Sequence, residues 1–339
     1  MVRPVKIGNL SVGGYFDKPV FVAELGINVS SPLDGGFELA DRCIDSGADI
    51  IKFQMHGTSE MLPDHVWFQL MRNHAMSLSC LRDMKCYIEN AGKTFLCTPF
   101  SSQAANTLED MNVCAFKIGS GECNNIPFLK HVALKGKPMI ISTGMTMREE
   151  LIASLDAVRK INKDIILLNC TSNYPSTPEQ TRLRRIDWLK SMFGLPTGHS
   201  DHSPSISTAL GAIARGACLI EKHVTLDKNA NGPDHKVSLL PSEFKQMVDT
   251  GTEIWEGLKM CTETDMTTLV EGEQELRDIA NHSIVTINPI QRGDQFTMGN
   301  IWVKRPGTGI PASMFEEMLG RFATEDLEEG HLVWYDEIA

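Results

Sequence analysis

The chain has 339 residues, 42% hydrophobic and 22% charged, which allows one large domain with a smaller companion and excludes a disordered polymer. A formal net charge of -11 excludes the basic footprint of a general nucleic-acid binder, so any anionic substrate must be gripped by local cations against the overall field. Nine cysteines form no CxxC pair, the N-terminus has no apolar signal core, and no apolar run is long enough to span a bilayer; the expectation is a cytoplasmic chain with reduced thiols and no membrane partner.

In chain order, apolar strand patterns occupy residues 20–28 (VFVAELGIN), 49–56, 93–100, 115–121, 138–145, 164–172, 195–201 and 218–226. Amphipathic helical patterns such as FELADRCIDSGA, LSCLRDMKCYIENAG and REELIASLDAVRKI lie between them, several closing on Gly just before the next strand. Eight strands with helical crossovers over residues 1–260 predict an α/β fold, a (β/α)8 TIM barrel. A doubly wound open sheet is the competing arrangement.

The strands begin apolar and finish polar. Their ends carry Glu24, Lys52 and Gln54, Thr98, Lys117 and Ser120, Ser142, Thr171 and Ser172, Ser200 to His202, and Glu221 to His223. Ordinary strand ends emerging into water explain any one of these cases. Their repetition on strand after strand predicts a ring of polar groups converging on one pocket at the C-terminal face of a barrel. Residues 261–280 are acidic and read as a linker with some helix. Residues 281–339 read as a compact β-rich module, too small to be robust by itself.

His202 and His223 end consecutive strands, which suits a divalent cation with positions left open for water and substrate oxygens. Asp201 and Glu221 are candidates to support them, and His199 and His235 have weaker claims. Lys52 and Lys117 follow apolar residues and need buried anionic partners, either a phosphate or an internal carboxylate. Thr98, Ser120, Ser142, Ser172 and Ser200 offer neutral donors around them. Glu24 is a candidate general acid or base, or a group that orients a lysine. Asp234 lies in a Gly/Pro loop, either as a turn cap or as a ligand for substrate hydroxyls. Arg305, in VKRPGTGIP, presents a planar fork suited to a carboxylate or phosphate.

Taken together and in order, AELGIN, KFQ, TPFS, KIGSGE, STGM, NCTSNYP, GHSDHS, EKHVTLD, GPDH and KRPGTGI resemble the sialic acid synthase family, which includes the legionaminic and pseudaminic acid synthases. The resemblance covers nearly the whole chain. It implies a TIM barrel followed by a C-terminal antifreeze-like (SAF) domain, and a domain-swapped homodimer in which one subunit's tail covers its partner's barrel. It implies condensation of phosphoenolpyruvate with an N-acetylated hexosamine, N-acetylmannosamine or a related diacetamido sugar, to give a nonulosonic acid and phosphate. Carried over by position, His202 and His223 match ligands for Mn2+ or Mg2+. Lys52, Thr98, Lys117, Ser120, Ser142, Ser172 and Ser200 match the phosphoenolpyruvate pocket, and Gln54, Tyr174 and Asp234 match sugar contacts. Glu24 matches the acid/base carboxylate, and Arg305 matches an arginine delivered by the partner. The first loop departs from the family, with NVSSPLDGG where an NHNG-like string is common. Loops 29–36 and 57–76 are expected to read the acceptor. Rival readings are a Schiff-base aldolase of the same fold using Lys52, Lys117 or Lys222, and a non-catalytic carbohydrate-binding or ice-binding protein.

Overall fold

The structure is a computed structural model and describes residues 2–29, 35–56, 60–259 and 268–339. Parts of the two loops expected to read an acceptor, residues 30–34 and 57–59, and residues 261–267 of the expected linker lie outside the described residues. The chain divides into two compact units, Met1–Met260 and Cys261–Ala339.

The first unit opens with an antiparallel hairpin, β1 (Val5–Ile7) and β2 (Leu10–Val12). Eight parallel strands follow: β3 (Val20–Glu24), β4 (Ile50–Met55), β5 (Thr94–Pro99), β6 (Phe116–Ile118), β7 (Met139–Ser142), β8 (Ile165–Cys170), β9 (Thr197–Asp201) and β10 (Leu219–His223). Their order is β5-β4-β3-β10-β9-β8-β7-β6, with β5 lying against β6 at the seam, so the eight strands form a barrel and the open-sheet alternative is excluded. The helices are α1 (Phe37–Asp45), α2 (Phe68–Asn73), α3 (Leu78–Asn90), α4 (Ser102–Asp110), α5 (Ile126–Ala133), α6 (Arg148–Arg159), α7 (Arg185–Phe193), α8 (Ser207–Ala214) and α9 (Pro241–Lys259).

Local chemistry sets these boundaries. Ser77, Ser101 and Asn125 cap α3, α4 and α5 by accepting from the backbone N–H groups of Cys80, Ala104 and Phe128. Gly194 ends α7 with φ 62°, a conformation that costs glycine nothing. The strands alternate strictly. Phe21, Ala23, Ile51, Phe53, Phe95, Phe116, Ile141, Leu167 and Ile220 belong to the layer between barrel and helices. Val20, Val22, Ile50, Leu96, Ala115, Ile140, Ile166, Leu168 and Leu219 fill the barrel interior. Val5, Ile7 and Val12 of the hairpin join that inner cluster and close it from one end. Each Val, Ile, Leu or Phe side chain among them contributes roughly 1.5–3 kcal/mol by leaving water.

Several strands are shorter than the sequence patterns imply. The chain leaves β3 at Glu24 and turns through Gly26 at φ 51°, and β6 gives way to a short 3-10 turn at Ser120–Glu122. Ser120, Ser172 and His202 therefore sit in loops just past their strands.

In the second unit, α10 (Glu273–Ala280) precedes an antiparallel pair, β11 (Ser283–Thr286) and β12 (Ile301–Lys304), and a short α11 (Phe315–Met318). Ile284, Ile290, Phe296, Ile301, Ile310, Leu327 and Val333 form its core. Helix α10 is tied to this unit, because the Asp278 carbonyl accepts from Gly307 N at 2.7 Å. No helix among the described residues is long and apolar enough to cross a membrane.

Candidate active site

The alternation that fills the lower barrel with aliphatic side chains turns polar one step later. Glu24, Lys52, Thr98, Lys117, Ser142 and Glu221 follow the inward-facing apolar residues by two positions, Ser200 follows Gly198 likewise, and all are buried. At its centre Lys52 Nζ lies 2.5 Å from Glu24 Oε2 and 3.6 Å from Glu221 Oε2, and Lys117 Nζ lies 3.0 Å from Glu221 Oε1. Lys52 also donates to Thr98 Oγ1 at 3.2 Å, and Ser200 Oγ donates to Glu221 Oε1 at 2.9 Å. In this structure the lysines are thus satisfied by carboxylates. Glu221, expected only as support for the histidines, is the group both lysines share. Its register beside Ser200 on β9 and its phase with Leu219 turn it inward.

Burial sets the electrostatics, and the ion pairs modify it. Burial would raise Glu221, but Lys117 and then Lys52 outweigh it and hold the carboxyl well below its usual range. Burial raises Glu24, and Lys52 does not fully offset it. Burial would lower Lys52, but Glu221 and Glu24 reverse the shift. Three polar atoms of this layer, Glu24 Oε2, Ser142 Oγ and Glu221 Oε2, are buried without a hydrogen-bond partner; the two carboxylate oxygens face the Lys52 ammonium, and Ser142 Oγ is left unpartnered.

Above this layer, Gln54 Nε2 donates to Glu24 Oε1 at 2.5 Å. Asp234 comes to the same place, since a Cβ on Gly26 would lie 3.1 Å from Glu24, 3.2 Å from Gln54 and 3.4 Å from Asp234. On the other side, a Cβ on Gly144 would lie 2.4 Å from Ser172 Oγ and 2.7 Å from Ser120 Oγ. Only glycine there leaves the two hydroxyls room, and Gly144 N–H donates to Ser120 Oγ at 3.1 Å.

The rings of His202 and His223 lie 5.4 Å apart, with Tyr174 packed against His202 at 4.0 Å. His202 Nδ1 is 2.8 Å from the Thr171 carbonyl, which makes Nδ1 the N–H and turns Nε2 away from that bond. Burial would lower this imidazole, but Cys170 and the Thr171 carbonyl outweigh it and raise its pKa, so a cation at Nε2 would have to displace a proton there. His223 Nδ1 is buried without a hydrogen-bond partner, 3.4 Å from Asp234 Oδ2. Burial lowers His223 to about 4, so its imidazole is neutral at pH 7, the form that ligates a metal. These two residues fit a divalent cation. Among the described residues no group of three or more His, Cys, Asp or Glu side chains is arranged to hold one, so its remaining positions fall to water or substrate oxygen.

Three expectations, for Asp201, Lys222 and His199, need correction, and His235 and Arg305 are only located. Asp201 does not support the imidazoles from inside the site, because its phase on β9 turns it outward to Lys222. Lys222 is thereby removed as a Schiff-base candidate, being fully buried on the outer side of the strand. His199 also faces outward, with Nδ1 2.9 Å from the Asn169 carbonyl. His235 Nδ1 lies 2.7 Å from Thr225 Oγ1. Arg305 belongs to the second unit, where its Nε donates to the Ala280 carbonyl at 2.7 Å.

Two residues gave no signal in the sequence. Cys170 sits in phase with Leu168 on β8 and accepts from Ser120 Oγ at 3.4 Å, with its sulfur 3.9 Å from His202 Nδ1. Burial would raise this thiol, but His202 outweighs it and brings it to about 7. His56, two positions beyond Gln54, stacks on Phe100 at 4.6 Å and has a buried Nε2 without a partner. Burial, reinforced by His74 and Lys52, lowers it to about 4.

A model of the NeuB family matches residues 39–262, and a model of the SAF domain matches residues 281–339. The chain is 33% identical to the N,N'-diacetyllegionaminic acid synthase of Campylobacter jejuni, over 93% of this chain and 99% of that one. It is 31% identical to the N-acetylneuraminate-9-phosphate synthase of Homo sapiens, over 94% of this chain and 92% of that one. The crystal structure of the spore coat polysaccharide biosynthesis protein SpsE of Bacillus subtilis shares 33% identity with it, covers 99% of both chains, and superposes with a TM-score of 0.69.

Proposed function

The chain belongs to the NeuB family, and from that premise we propose that it condenses phosphoenolpyruvate with an N-acetylated hexosamine to yield a nonulosonic acid and phosphate. The observation that supports this most is the inward-facing layer itself. Two ammonium groups, two carboxylates and a set of hydroxyls share one interior, with Ser142 Oγ unpartnered there, beside two imidazoles. Such a layer offers two cations and several hydroxyl donors to a small, highly charged anion that displaces their carboxylate partners.

In this reading Lys117, Lys52, Thr98, Ser142 and Ser200 bind the carboxylate and phosphate of phosphoenolpyruvate. Ser120 and Ser172 line the adjoining cradle at Gly144, and Gln54, Tyr174 and Asp234 orient the acceptor. His202 and His223 hold a divalent cation, Mn2+ or Mg2+, which when bound supplies Lewis-acid polarisation of a carbonyl oxygen. The methylene carbon of phosphoenolpyruvate bonds to the aldehyde carbon, and the aldehyde oxygen takes a proton from Glu24 to become a hydroxyl. Water adds to the adjacent carbon, giving its proton to Glu24, whose raised pKa suits it to hold one. Collapse of the resulting tetrahedral carbon breaks its bond to the phosphate oxygen, the hydroxyl proton leaving with the phosphate, and gives a 2-keto acid. A Schiff-base route asks for a free amine of lowered pKa; burial lowers Lys117, but its ammonium is held by Glu221 at 3.0 Å, and trapping of a pyruvate adduct with borohydride separates that route from the condensation. A homodimer in which the partner's Arg305 reaches the substrate completes the proposal.

The acceptor is the open choice. Incubating the chain with phosphoenolpyruvate, Mn2+ and, in turn, N-acetylmannosamine, its 6-phosphate and the diacetamido-trideoxy hexoses will give a keto acid of the summed carbon skeleton with at least one of them. Mass spectrometry of the products reads this directly. No keto acid with any of them, from folded protein, contradicts the proposal.

A further inference from the structure

The register that turns Ser200 and Glu221 into the barrel turns Asp201 and Lys222 out of it, paired across β9 and β10. Lys222 has no exposed surface. Its ammonium lies 2.9 Å from Asp201 Oδ2, 3.2 Å from Ser203 Oγ and 3.0 Å from the Ser205 carbonyl, and also contacts the Ser203 carbonyl. Asp201 in turn accepts from Ser203 N at 2.8 Å, Ser203 Oγ at 3.1 Å and Thr208 Oγ1 at 2.6 Å, at the start of α8. One buried ion pair therefore ties together β9, β10, the loop after β9 and the first turn of α8.

A buried ion pair is seldom more stabilising than apolar side chains of the same volume, so its retention asks for a reason other than stability. The placement supplies one. His202 lies between Asp201 and Ser203, both of which are held in this network, and His223 directly follows Lys222. The outward-facing pair is thus interleaved with the inward-facing imidazoles, whose rings stand 5.4 Å apart. The geometry points to Asp201 and Lys222 as positioning residues that fix the spacing and aim of His202 and His223 for a divalent cation. They act from the layer outside the barrel without touching substrate. The inference rests on the proposed cation role of the two histidines.

Removing one charge strands the other, so the informative change is the double variant Asp201→Asn with Lys222→Met, which removes both charges at similar volume. Its Mn2+ affinity is measured by titration calorimetry, beside its melting temperature and its KM and kcat. The expected result is a folded protein that binds Mn2+ at least about tenfold more weakly, with kcat reduced and the KM for phosphoenolpyruvate little changed. A folded double variant that binds Mn2+ within about threefold of the parent overturns the role and leaves only a structural clamp. Should the double variant not fold, Ser203→Ala removes one tie to the loop and leaves the ion pair. A loss of Mn2+ affinity beyond about threefold supports the role, and a smaller one overturns it. A parent chain that binds no Mn2+ fails the cation reading itself, which separates that failure from a failure of the positioning role.

Discussion

His56 stands at the edge of the polar layer with its ring on Phe100 and its Nε2 buried and unpartnered. Its pKa falls from 6.5 to about 4 on folding, burial first. Between those values the unfolded chain binds a proton that the folded chain refuses. The stabilisation from keeping His56 neutral is full above about 6.5 and is lost as the pH falls toward about 4. Folding stability of the parent should therefore drop by about 2 kcal/mol more between pH 7 and pH 5 than that of His56→Phe, which keeps the stack and cannot titrate. Urea unfolding of both proteins at the two pH values measures it; equal drops would place His56 in contact with water. The sequence disclosed the lysines of this site because an ammonium inside an apolar run is conspicuous. It hid Cys170, because a thiol passes as one more apolar residue in IILLNC. It misplaced Asp201, because closeness along the chain was weighed where phase along the strand decides. Two carboxylates one residue apart in register, Asp201 opposite Lys222 and Glu221 opposite Ser200, face opposite sides of the barrel wall.

Strand β10 ends at His223, β9 leads directly into His202, and the two strands pack with almost no clearance. A Cβ on Gly198 would lie 2.4 Å from the Leu219 carbonyl oxygen and 2.8 Å from Leu168 Cδ2. The nearer atom is backbone and cannot swing aside, so Gly198→Ala must push the two strands apart. The expected cost is about 1–3 kcal/mol of stability, read from the urea midpoint, together with weaker Mn2+ binding. An unchanged midpoint would mean the strands have slack. At this scale the eight strands were legible, because inward and outward apolar residues alternate and each run ends in polar groups. The hairpin β1–β2 was not legible, because three-residue strands such as Val5–Ile7 carry too little pattern to register. Its role in closing the inner cluster depends on contacts distant in sequence.

The whole molecule consists of two units, and the likeness to known synthases runs through both. In the proposed homodimer, Arg305 serves the partner's barrel and not its own. Arg305→Ala and His202→Ala should each be inactive alone. Mixed after dissociation and reassociation, they should recover about a quarter of parental activity, since half of the dimers pair the two variants and one of their two sites is then intact. No recovery from verified mixed dimers would place Arg305 in its own subunit's site or outside the chemistry. The antifreeze-like tail and its arginine were legible only through the likeness of KRPGTGI to a family pattern; an arginine in a Gly/Pro loop has no distinctive physics of its own. The central claim is that the polar layer inside the barrel and the two imidazoles beside it serve one reaction. Its most direct measurement is phosphate release from phosphoenolpyruvate by chelator-treated protein, with a competent amino sugar present or absent. Release should require the sugar, vanish without metal and return on addition of Mn2+. Full release from metal-free protein, or release independent of the sugar, would contradict it.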